Sequence, residues 1–80
     1  MTESEILDRV ADILSQQFSL DKANVRSETG PEDVDTWDSL SHVALTSTLE
    51  NEFDVSFEIE EIMEMENVGS IVRLLSGKLA

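Results

Sequence analysis

The chain has 80 residues, 40% of them hydrophobic, with three glycines, one proline, no cysteine and a formal charge of −13 from eighteen acidic and five basic residues. A chain of this length is expected to form one small α-rich domain over residues 1–80, which withdraws only roughly 60% of its unfolded surface from water. The charge excludes a nucleic-acid binder, the lack of any apolar run near the ~20 residues of a bilayer span excludes membrane insertion, and the absence of cysteine with a lone His42 excludes a thiolate or histidine-cluster metal site.

Residues 2–18, TESEILDRVADILSQQF, place Thr2 and Glu5 at capping-box spacing and set Ile6, Leu7, Val10, Ala11, Ile13, Leu14 and Phe18 on one stripe, which predicts an amphipathic helix. Asp8, Arg9, Asp12 and Gln16 form its polar side. From Ser19 to Thr36 the periodicity fades and turn formers gather around Gly30-Pro31. This reads as a long ordered loop, with Leu20, Val25 and Val34 available to pin it to the core.

A second helix is predicted from Asp38, as cap, to about Phe53, with a buried stripe of Leu40, Val43 or Ala44, Leu45, Leu49 and Phe53. A short third helix follows within DVSFEIEEIMEMEN, with Ser56 as its cap and Ile59, Ile62 and Met63 at helical spacing. Asn67 caps a last helix whose face is Val68, Ile71, Val72, Leu75 and Leu79, with Arg73 and Lys78 toward its negative end. The sum is an all-α four-helix bundle of three longer helices and one short one, with a long loop between the first and second helices.

Between Arg26 and Arg73 there is no Lys or Arg, and thirteen Asp or Glu fall in that interval. Such a field steers basic protein surfaces toward the chain. EF-hand spacing fails in it: starting at Asp33 the twelfth position is Ala44, and starting at Glu50 the required glycine is Val55. No specific metal site is expected, only diffuse, weak divalent binding.

Within VDTWDSLSHVAL the serine Ser39 stands just inside the start of the second helix. A nucleophilic serine needs a base and oxyanion donors, and the G-x-S-x-G elbow is missing here. His42 lies three residues on, so a Ser-His pair is conceivable on spacing, but a bundle this small offers little room for a substrate. Helix N-termini stabilise attached or bound phosphate through free N–H groups and the helix dipole. The position therefore suits a serine that carries a phosphate rather than one that attacks.

Asp38-Ser39-Leu40, followed by Val43, Leu45 and Leu49-Glu50-x-Glu52-Phe53 in an acidic chain with this helix order, resembles the acyl carrier proteins over essentially the whole length. The resemblance implies a four-helix bundle that is not an enzyme. It implies a 4′-phosphopantetheine arm, derived from coenzyme A, in phosphodiester linkage to Ser39, holding acyl or aminoacyl cargo as thioesters. Its implied partners are a phosphopantetheinyl transferase and cargo-loading and cargo-processing enzymes with basic patches, met by a cytoplasmic monomer. Asp38, Leu40, Asp35, Glu50, Glu58 and Glu61 are then the expected recognition residues.

Trp37 stands where many fatty-acid carriers have a small residue, Ala44 where they often have glutamate, and Thr46-Ser47-Thr48 is polar for the lining of a long acyl chain. These departures point toward stand-alone carriers of specialised biosynthesis, with peptidyl and D-alanyl carriers left open. Trp37 is expected to staple the loop to the bundle, His42 to face solvent, and Met63 and Met65 to be core or edge residues. A rival of another class is an unmodified acidic module that binds a basic partner.

Overall fold

A computed structural model describes residues 1–79. Four α-helices follow in the order α1 (Glu3–Phe18), α2 (Ser39–Phe53), α3 (Ile59–Met63) and α4 (Val68–Leu79), and two 3₁₀ turns, Lys22–Asn24 and Pro31–Asp33, lie between α1 and α2. No strand occurs among the described residues.

The capping box at Thr2 and Glu5 is formed, with Glu5 N donating to Thr2 Oγ1 at 3.2 Å and Thr2 N to Glu5 Oε1 at 2.9 Å. α1 buries Ile6, Val10, Ala11, Leu14 and Phe18, while Leu7 and Ile13 are half-buried at the edge of the stripe. It packs against α4 more extensively than against α2. Its polar face does more than meet solvent: Arg9 bridges to Glu52 at 2.8 Å and lies over the Phe53 ring, and Lys22 pairs with Asp8 at 2.9 Å.

The loop after α1 leaves Ser19, which takes a left-handed conformation at φ 55°, and Val34 is buried while Leu20 and Val25 pack half-buried against the core. Its middle is stitched to the start of α4, where Val68 N donates to Thr29 O at 2.9 Å and Gly69 N to Ser27 O at 2.7 Å. Those bonds give partners to N–H groups that a helix start would otherwise leave open, and Asn67 Oδ1 takes a third from Ser70 N.

Two expectations for α2 fail. Leu40 is 85% exposed and Val43 57% exposed, and Ala44 is also exposed. The inward face runs through half-buried His42 and buried Leu45, Thr46, Leu49 and Phe53, spacings of three and four residues that pass through two polar positions. Thr46 is 3% exposed and returns its hydroxyl to Val43 O at 2.8 Å, so its polarity is satisfied within the helix.

Differences appear farther on as well. Glu58, not Ser56, stands before α3, and Ile59 and Met63 face outward, at 72% and 78% exposed. A helix of five residues is too short to bury a full stripe, and none of its residues is buried. Met65, by contrast, is in the core. Arg73 lies in the middle of α4, leaving Lys78 as the basic residue of its last turn.

Candidate functional site

Thr36, Trp37 and Asp38 turn the chain into α2, with Trp37 N donating to Val34 O at 3.0 Å and Asp38 N to Thr36 O at 3.1 Å. Asp38 is the N-cap: its Oδ1 accepts from Ser41 N at 3.0 Å, and Asp38 N donates to Ser41 Oγ at 2.8 Å. Ser41 Oγ also donates to Thr36 O. The N–H of Ser41, followed by its hydroxyl, holds the Asp38 carboxyl below the usual carboxylate range.

Two serines thus stand two residues apart with different work. Ser41 closes the cap, while Ser39, the first residue of α2, is exposed and its hydroxyl takes no part in these bonds. The D-x-x-S spacing from Asp38 to Ser41 was the sequence signal for that cap.

His42 is not solvent-facing. Its Nδ1 lies 2.9 Å from Trp37 Nε1 and its Nε2 lies 2.9 Å from Ile62 O, and the ring stacks on Trp37 with centroids 6.1 Å apart. With both nitrogens directed at other partners, no base is offered to Ser39. Trp37 precedes the cap and His42 follows four residues after it, which is the spacing of a hydrophobic staple with an imidazole in place of an aliphatic partner. Trp37 is 3% exposed and stacks on Phe18 at 5.5 Å on its other side.

Beside Ser39 lies a shallow depression of about 320 Å³, lined by Trp37, Asp38, Ser39, His42, Ile62 and Met63 among others. That volume is at the low end for small-molecule sites, and the depression opens broadly to solvent. It suits a group lying along the surface better than a substrate enclosed for reaction.

The other expected recognition residues divide. Asp35 and Glu58 are exposed, and Leu40 projects into solvent next to Ser39. Glu50 is half-buried and its Oε2 accepts from Phe57 N at 2.8 Å, fixing the α2–α3 connection. Glu61 accepts from Glu58 N at 2.7 Å and pairs with Lys78 at 2.9 Å, and these contacts hold its carboxyl below the usual range. Their positions give Glu50 and Glu61 internal partners instead of an open face. No group of acids, His or Cys able to hold a metal ion occurs among the described residues.

A capped helix start presenting an unengaged serine on an acidic four-helix bundle is the architecture of a carrier domain, and the family model for the phosphopantetheine attachment site matches residues 5–75. The chain belongs to the acyl carrier protein family, whose members are non-catalytic carriers of a covalent 4′-phosphopantetheine. It is 38% identical over 80 residues to the acyl carrier protein of Petrotoga mobilis, covering 99% of this chain and 93% of that one. To the acyl carrier protein of Thermosynechococcus vestitus it is 36% identical over 81 residues, covering 100% and 99%. Among solved structures, the holo acyl carrier protein of Geobacter metallireducens superposes with a TM-score of 0.82 at 37% identity, covering 91% of this chain and 84% of that one. The acyl carrier protein of Enterococcus faecalis gives a TM-score of 0.81 at 29% identity, with 98% and 99% covered.

Proposed function

We propose that Ser39 is the attachment point of the 4′-phosphopantetheine arm, and that the chain, working in the cytoplasm, presents acyl or aminoacyl thioesters on that arm to partner enzymes. The observation that carries this reading is the division of labour at the start of α2: the cap uses Asp38 and Ser41, His42 points elsewhere, and Ser39 remains exposed on the first turn. A phosphodiester there meets the positive end of the helix dipole, a contribution of about 0.3–1 kcal/mol at an exposed site. The arm supplies a terminal thiol for the cargo. The chain's own residues supply an anchor and a surface.

A tethered thioester reaches each docked active site at high effective concentration without leaving the carrier. Leu40 offers an apolar contact immediately beyond Ser39. The exposed acids Asp35, Asp38, Glu58, Glu60 and Glu64 contribute to a field that draws in basic patches, on a phosphopantetheinyl transferase first and on cargo-handling enzymes afterwards. Docking through such exposed charges is fast and salt-sensitive.

The test is intact-mass spectrometry after incubation with coenzyme A and a broad-specificity phosphopantetheinyl transferase. The expected result is a gain of one phosphopantetheine group that is lost in Ser39→Ala and kept in Ser41→Ala. No gain on the folded protein, or a gain that persists in Ser39→Ala, overturns the assignment.

A further inference from the structure

His42 makes two contacts that the carriage of an arm on Ser39 does not require. An indole N–H only donates and a carbonyl oxygen only accepts. With Trp37 Nε1 2.9 Å from Nδ1 and Ile62 O 2.9 Å from Nε2, the geometry requires a neutral ring that carries its proton on Nε2. One imidazole then ties together the loop before α2, α2 itself and α3.

α3 depends on such ties, because none of its residues is buried. Its other polar anchors are Lys78 on Glu61 at 2.9 Å and, just before it, Glu50 on Phe57 N at 2.8 Å. A five-residue helix held by polar contacts belongs to the part of a fold that opens first. Ile62 and Met63 of that helix share the walls of the depression beside Ser39 with His42.

We propose that neutral His42 is a pH-released latch that fixes α3 against the serine end of α2, and that protonating it loosens α3. A proton on Nδ1 sets two donors against each other and leaves the Trp37 indole N–H, on a buried side chain, without its acceptor; the Nε2–H donor to Ile62 O survives protonation, so α3 loosens as the ring swings away from Trp37 and draws Nε2 with it. Asp38 at the start of α2 lines the same depression, and Glu32, Asp33 and Asp35 occupy the loop before it. Glu61 precedes Ile62 in sequence, and Glu64 and Glu66 follow after Met63. Glu61 is already paired with Lys78, and Arg73 lines a different depression with Glu61 and Glu64. From α1 the contact to α2 nearby is the uncharged Gln17, whose Nε2 donates to Ser41 O at 2.9 Å. The latch stands on this geometry alone; only its consequence for the arm rests on Ser39 being the attachment point.

The test uses the unmodified protein and nitrogen-15 NMR between about pH 8 and pH 5, the interval in which histidines change charge. The expected results are an Nε2–H ring at the alkaline end and a Trp37 indole signal that moves with the same midpoint as the His42 ring. Protection of the Ile62 and Glu64 amides, corrected for intrinsic exchange, should fall roughly fivefold as the ring is protonated, while that of Ile71 in α4 holds. His42→Phe keeps a flat ring against Trp37 but makes neither bond, and should show fast α3 exchange with no pH step. If that variant does not fold, Trp37→Phe removes the donor alone and should shrink the step. An Nδ1–H ring at pH 8, or α3 protection indifferent to the titration of His42, overturns the latch. A failure of Ser39 to accept an arm would leave these readouts unchanged, so the two ideas fail separately.

Discussion

Replacing Gly30 with alanine should destabilise the protein, although the same exchange usually does the opposite where the backbone is compatible. Gly30 has an extended backbone, at φ −144°, so its glycine is not needed for conformation. It is needed for space. A Cβ on Gly30 would lie 2.7 Å from Glu66 O, a backbone atom. Relief is restricted on both sides, because Val68 N holds Thr29 O at 2.9 Å and Gly69 N holds Ser27 O at 2.7 Å. Overpacking of this kind costs about 1–3 kcal/mol, against the ~0.4–1 kcal/mol that a Gly→Ala change gains by restricting the unfolded chain. A net loss near 1.3 kcal/mol corresponds to a Tm lower by roughly 5–10 °C in a domain of this size. Gly77 is the internal control: it lies within α4, a Cβ there meets nothing within 4 Å, and Gly77→Ala should gain up to about 1 kcal/mol. Thermal and urea unfolding followed by far-ultraviolet circular dichroism, with an unchanged urea m-value, measures both. A Gly30→Ala protein that melts at or above the parent temperature would show that the loop and α4 slide freely past each other, and the close-approach reasoning would be wrong.

Leu45→Ala should cost roughly 2–5 kcal/mol because Leu45 is fully buried, whereas Leu40→Ala should stay within about 0.5 kcal/mol in urea unfolding and should instead slow modification by the transferase in a mass-resolved time course. Acid should destabilise the fold through Glu5, Asp38 and Glu61, whose carboxyls are held low by backbone N–H groups. Carboxyls depressed in the folded state contribute stability that is full above the unfolded value, about 4, and fades as the pH falls through the lower folded values. Tm should therefore drop below about pH 4, and Asp38→Asn should flatten that slope. Sodium chloride should raise the Tm at neutral pH by screening the self-repulsion of a chain with charge −13, as a calorimetric series in added salt would show.

How far this site could be read from sequence varies with the physics at each position. α1 and α4 were legible because their apolar residues fall on one stripe, so periodicity alone located the buried faces. α2 was not, since it has apolar residues on several sides and its inward face includes His42 and Thr46. Leu40 was therefore assigned to the core when it stands in solvent. Asp38 as cap was readable from its place before the helix, and Ser41 as its partner from the D-x-x-S spacing, which Ser39 does not satisfy. The long-range bonds left no local trace at all: Glu50 to Phe57, Glu61 to Lys78 and His42 to Ile62 join residues whose proximity depends on how α3 folds back.

Trp37 shows that a departure from a family's pattern can have a packing role of its own. A large aromatic before the serine departs from many fatty-acid carriers and invited a conclusion about cargo. In the folded chain it sits between Phe18 and His42, closing the end of the core under the loop. Thr46 is similar, its hydroxyl bonded to Val43 O within the helix. Both departures thus have structural partners within the fold.

The bundle is held by two different kinds of force along its length, and this bears on how a carrier works. Around α1, α4 and the C-terminal part of α2 the contacts are apolar, with Ile6, Leu14, Leu45, Leu49, Ile71 and Leu75 fully buried. Dispersion and burial there are insensitive to pH and to exposed charge. The serine end depends on the Asp38 cap and the His42 bridge, and α3 also on the Lys78–Glu61 pair. Such ties are individually worth about 1 kcal/mol and respond to protonation and to a docking partner's charges. On the proposed docking, a basic surface approaching Asp38, Glu58 or Glu64 acts on the segment around Ser39 while the apolar core stays as it is. On the proposed attachment at Ser39, that separation lets one small domain keep its fold through repeated encounters while the end that carries the arm responds to each partner.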